Sequence, residues 1–158
     1  MPSDSARELF NACLHGDVAA VSRLLPSQSA ADTSTALTGA ATFGHMDVVR
    51  MILERTPDSA IDSREATHGG TALGAAAYFH HADILELLAD RGAKVNLLGI
   101  QLDTPLHLAV GLIHPDEYPR DPDPDGARQV TTVKSLLRLG AGTKPLKAPL
   151  PRQHNFVV

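Results

Sequence analysis

The chain has no tryptophan, only six aromatic residues of other kinds, and one cysteine among its 158 residues. With so few aromatics, a core has to rely on Ala, Leu, Val and Ile at regular spacing. A lone cysteine, Cys13, excludes both an internal disulfide framework and a thiolate zinc site within one chain. No apolar run approaches the roughly 18 residues that span a bilayer. Met1-Pro2-Ser3-Asp4-Ser5 also lacks the basic-then-apolar pattern of a secretory signal. An intracellular protein, cytoplasmic or nuclear, is therefore expected, without a membrane partner. Neither sign of charge dominates: 14 basic and 18 acidic residues give a formal charge of −4, which does not suggest a general nucleic-acid binder. The length fits a single domain with a real core.

What the sequence does have is internal repetition. Three segments align: Thr35-Ala-Leu-Thr-Gly-Ala-Ala-Thr-Phe-Gly-His45, Thr71-Ala-Leu-Gly-Ala-Ala-Ala-Tyr-Phe-His-His81 and Thr104-Pro-Leu-His-Leu-Ala-Val110. A degenerate copy, Leu9-Phe-Asn-Ala-Cys-Leu-His-Gly-Asp17, precedes them, and the three Thr starts lie 36 and then 33 residues apart. Each Thr is placed to cap a helix through its side-chain oxygen, and Pro105 sits where proline is best tolerated, at the first helical position. Leu37, Ala40 and Ala41 share one helix face, as do Leu73, Ala76 and Ala77. A second helix follows each, carrying Val48-Val49 and Ile52-Leu53, then Ile84-Leu85 and Leu87-Leu88. Asp47 and Asp83 fall in its first turn, where negative charge favours the helix dipole. Gly92 and Gly140 supply the C-terminal stops.

This pattern resembles the ankyrin-repeat family, in which Thr-Pro-Leu-His-x-Ala-Ala is followed by Gly-His, Val-Val, Leu-Leu, then Gly-Ala and Asn. Arg91-Gly92-Ala93-Lys94-Val95-Asn96 and Thr104-Pro105-Leu106-His107 carry the match most fully. The resemblance implies an all-α repeat solenoid of four stacked helix-turn-helix repeats with short β-hairpin fingers. The repeats fall at about 6–33, 34–69, 70–102 and 103–143, and a Pro-rich basic tail occupies 144–158. Repeat one has Arg7 where Thr belongs and starts only 28 residues before Thr35, which suits a truncated end cap. Thr71 to Gly92 is 21 residues but Thr104 to Gly140 is 36, so repeat four carries fifteen extra residues, at about 111–127.

The resemblance also implies a function: binding another protein, as a monomer, through the concave face, with no cofactor and no catalysis. Family recognition positions are the finger tips and the two residues after the Ala-Ala pair. Here those pairs are Leu14 and His15, Thr42 and Phe43, Tyr78 and Phe79, and Gly111 and Leu112. Three of the six aromatics fall there, as binding anchors would; packing between helices is the plainer reading. His68, Gln101 and Asp103 near the fingers, His80, and Tyr118 in the insertion complete the candidate partner-binding set. Small residues at Gly39 and Ala75 either deepen a pocket beside Phe43 and Tyr78 or allow closer helix packing.

The alternative is a small-molecule binder or cofactor-independent enzyme using Tyr78, His80, His15 and Asp103 as acid–base groups in the same groove. No nucleophile elbow, phosphate loop or dinucleotide fingerprint supports it. Nor does the recurrence of His15, His45, His80, His81 and His107 make a metal site without a His-Glu-x-x-His or a cysteine cluster. His107 fits the family's structural His, and His45 and His81 fit its Gly-His turn. Asp121-x-Asp123-x-Asp125-Gly126 resembles the opening of a calcium loop, but Thr132 stands at the twelfth position instead of Glu, and prolines interleave. Asn96 is similar to ankyrin asparagines that are hydroxylated, while its ordinary role is to close a turn. The tail's Phe156-Val157-Val158 is either part of a linear motif or a cover for the last repeat.

Overall fold

Helices pair and stack in a single file. The computed structural model describes residues 4–57, 60–64, 70–99, 104–111 and 126–142. Among these, eight α-helices form: α1 (Asp4–His15), α2 (Val18–Leu24), α3 (Ala30–Phe43), α4 (Met46–Leu53), α5 (Ala72–Tyr78), α6 (Ala82–Asp90), α7 (Pro105–Val110) and α8 (Ala127–Arg138). Each odd helix packs against the even helix that follows it. The odd helices stack α1 on α3 on α5 on α7, and the even ones α2 on α4 on α6 on α8. This is a helical repeat solenoid of four layers. No strand occurs among the described residues. The tips of the expected fingers, the insertion and the tail lie outside the described residues.

Alanine sets the close stacking of the inner row. Ala40, Ala41, Ala76, Ala77 and Ala109 are fully buried between successive odd helices, and side chains that small bring helix axes toward the lower end of the usual 8–10 Å spacing. Larger residues fill the space between inner and outer rows: Leu37, Ile52, Leu73, Ile84, Leu85, Leu88 and Leu136. Each contributes roughly 1.5–3 kcal/mol on burial, so the apolar spacing that marks the repeat is also what holds it together.

The caps follow the sequence at two starts and depart from it at a third. Thr71 Oγ1 accepts a hydrogen bond from Gly74 N at 3.1 Å. Thr104 caps α7 in a reciprocal box with His107, whose Nδ1 accepts from Thr104 N at 3.2 Å, and Pro105 opens the helix. His107 thus binds backbone in its own repeat. Thr35, expected as a cap, instead lies inside α3. That helix starts earlier because Ser29 caps it, accepting from Asp32 N at 3.2 Å. Ala30-Ala31-Asp32 then extends the helix, and the Thr35 hydroxyl donates to Ala31 O at 3.1 Å. With repeat one so short, nothing between Ser29 and Thr35 breaks the turn.

Between layers, polar ties repeat in register. Lys94 N donates to Asp62 Oδ1 at 2.9 Å, and Gly142 N donates to Asn96 Oδ1 at 2.7 Å. Asn96 Nδ2 also donates to Gly140 O at 3.0 Å, so Asn96 ties layer three to layer four. Glu86 accepts from Ser135 and pairs with Arg138 across the same junction. Gly92 and Gly140 take left-handed backbone, with φ of 92° and 87°, at the ends of α6 and α8.

Candidate functional site

The two positions after each Ala-Ala pair separate into two columns. Leu14, Thr42 and Gly111 are half-buried and Tyr78 is buried, at 9% exposure. This column faces neighbouring layers, and the Leu14 and Thr42 carbonyls accept from the next layer's histidines. Tyr78, expected on the open groove, is a core residue whose ring meets Phe79 edge-on, with centroids 4.9 Å apart at 74°. The second column looks outward. His15 is exposed, with its Nδ1 2.7 Å from Asn11 O; Phe43 is 55% exposed; Phe79 is half-buried. Leu112 would continue it, but with His68, Gln101, Asp103 and Tyr118 it lies outside the described residues.

Gly39 does not open a pocket beside Phe43. A Cβ there would lie 2.9 Å from Phe10 Cε2 and 3.5 Å from a Leu14 methyl, so the space is already filled by α1. The small residue permits helix packing, the plainer of the two expectations.

On the opposite edge, a glycine–histidine ladder links the layers, a feature that the bare Gly-His spacing did not disclose. Gly16 and Gly44 end α1 and α3 with φ of 69° and 77°, and the imidazoles of His45 and His81 lie against them. His45 Nε2 bonds Leu14 O at 2.9 Å and His81 Nε2 bonds Thr42 O at 3.0 Å. At the third junction both partners change. His80 stands in the glycine position, left-handed at φ 62°, and Gln129 stands in the histidine position but donates within its own layer, to Ala109 O at 3.0 Å. Left-handed backbone costs an L-residue roughly 1–2 kcal/mol. An open cleft of about 530 Å³ lies at this break, lined by His80, His81, Asp83, Glu86, Arg128 and Thr131 among others.

Among the described residues, His15 lies far from the other acid–base candidates, and no metal grouping forms. His15 lies on α1 and Tyr78 on α5, with α3 packed between them. Among the described residues, no three His, Cys, Asp or Glu side chains are placed to hold a metal ion. Thr132, at the twelfth position of the calcium-like run, is fully buried within α8. Burial pushes the Cys13 thiol up to about 12, which leaves it unreactive as a nucleophile. No helix among the described residues is long and apolar enough to cross a membrane.

The family model for ankyrin repeats (3 copies) matches residues 9–98, more than half of the sequence. The chain belongs to the ankyrin-repeat family. Layers one to three fall almost wholly within the matched region, and the fourth ankyrin-like pair, α7 and α8, lies beyond it. No curated protein matches the chain significantly. Ankyrin repeats are generally protein–protein interaction modules and are typically non-enzymatic.

Proposed function

We propose that this ankyrin stack, acting as a monomer, binds a partner protein through its concave side, with the outward column His15, Phe43 and Phe79 as the contact line. The exposure of Phe43 carries the reading. A phenylalanine left 55% exposed, at a position that recurs in register and looks away from the core, contributes little to folding and much to a docked apolar side chain. Phe79 offers a second, half-buried apolar surface one layer along, steadied by Tyr78. His15 adds a polar end. No catalysis and no cofactor enter this reading: of the acid–base candidates, His15 lies on layer one, and Tyr78 and His80 lie on layer three. Quantitative affinity capture with wild type and with Phe43→Ala plus Phe79→Ala tests it. Proteins recovered by wild type are expected to fall by about tenfold or more with the double variant, as for a pair of hot-spot residues. Equal recovery would remove the groove from the interface.

A further inference from the structure

The junction between layers three and four departs from the first two at positions that correspond in register. Thr132 stands where Val48 and Ile84 fill the core, and its fully buried hydroxyl has no hydrogen-bond partner among the described residues. Ser135 stands where Met51 and Leu87 pack on the core, and its hydroxyl donates to Glu86 Oε1 at 2.6 Å. His80 holds at φ 62° the left-handed turn that Gly16 and Gly44 supply in layers one and two. An unsatisfied buried hydroxyl and a left-handed L-residue each offset part of what apolar burial contributes. The far side of layer four adds no compensating contact among the described residues. Val110, Val130 and Leu137 are exposed there, whereas α3 to α6 have a helix of a neighbouring layer on each side. Polar ties across the junction, Asn96 with Gly140 and Gly142 and Glu86 with Arg138, lie at its exposed edge. Exposed ion pairs hold little in water.

Layer one is also terminal, yet it is built like the interior. Leu9, Cys13 and Val21 are fully buried in it, and His45 Nε2 of layer two bonds Leu14 O at 2.9 Å. The exposed residues of α1 are Asp4, Arg7, Glu8, Asn11 and His15, all polar, as an outer face should be.

In a repeat stack each layer is held by its own folding and by its interface with its neighbours, so one weak junction lowers stability locally. We infer that layer four opens from layer three as a unit while layers one to three stay folded. Opening parts α7 from α5 and α8 from α6. It uncovers the layer-three face carrying Ala77 and Leu85, both fully buried in the closed form, and Gly74, whose added Cβ would lie 3.4 Å from a Leu108 methyl. It also divides the cleft that His80, Asp83 and Glu86 share with Arg128 and Thr131. The cleft is therefore a property of the closed form alone.

Native-state hydrogen exchange of the full chain in low urea tests this. Amides of α7 and α8 are expected to exchange at least about tenfold faster than those of α3 and α5. Their urea dependence should be smaller, because local opening exposes less surface than global unfolding. Amides of α1 should exchange more slowly than those of α8. Val21→Ala, in layer one, should quicken α3 and α5 by about tenfold and leave α7 and α8 unchanged, since layer one is folded in both forms. Thr132→Val should slow α7 and α8 by about fivefold. Exchange of α7 and α8 at the rate and urea dependence of α3 and α5 overturns the inference. So does a response of α7 and α8 to Val21→Ala, or opening of α1 ahead of α8.

Discussion

His81 and Gly44 occupy one space: a Cβ on Gly44 would lie 2.6 Å from the His81 Cε1. The glycine is also left-handed, at φ 77°. Gly44→Ala therefore meets two penalties, roughly 1–2 kcal/mol for the backbone and roughly 1–3 kcal/mol for overpacking. We expect a loss of about 3 kcal/mol in urea unfolding. A loss below about 1 kcal/mol would show that the imidazole swings clear and that the tie to Thr42 O is dispensable.

The same position one layer on carries the opposite sign. His80 holds φ 62° without being glycine, so His80→Gly is expected to stabilise the chain by about 1 kcal/mol. A raised urea midpoint with an unchanged slope is the expected result. Destabilisation would show that contacts of the His80 side chain outweigh the backbone strain.

Much of the fold was legible because its signals are local and periodic. The Ala-Ala pairs, Val48-Val49, Ile84-Leu85 and the stops at Gly92 and Gly140 are each repeated in register, and each is buried or left-handed as the pattern requires. Thr35 misled because a cap depends on what precedes it, and Ser29 with Asp32 captures the helix start first. In the candidate site, neighbours along the chain point to different environments. The spacing that placed Phe43 outward placed Tyr78 inward, since adjacent helical residues are separated by about 100°. Gln129 was visible as a letter, but its bond to Ala109 O twenty positions back depends on how α8 packs on α7.

Thr132 fills the core position held by Val48 and Ile84, and its fully buried hydroxyl has no hydrogen-bond partner among the described residues. Thr132→Val keeps the shape and removes the unsatisfied group. It should raise stability by about 1–2 kcal/mol in denaturant unfolding. No gain would mean that the hydroxyl finds a partner in solution.

Cys13 links stability to alkaline pH. Its thiol moves from the ordinary 9.0 up to about 12 through burial. A raised folded-state pKa gives stability that is complete below pH 9 and is lost as pH climbs through about 12. The native thiol should resist a disulfide reagent at pH 8 and react fully in urea. Cys13→Ala should flatten the alkaline side of the stability profile; an unchanged profile would remove the thiol from the linkage.

Phe43 and Tyr78 should part company when each is cut to alanine. Phe43 is 55% exposed and Tyr78 is 9% exposed. Phe43→Ala is expected to change unfolding stability by no more than about 0.5 kcal/mol, as for an exposed position, while weakening partner capture. Tyr78→Ala creates a cavity beneath Phe79 and should cost about 3 kcal/mol or more. If Phe43→Ala destabilised the chain as strongly as Tyr78→Ala, the ring would belong to the packing of the stack. The concave column would then lose its anchor.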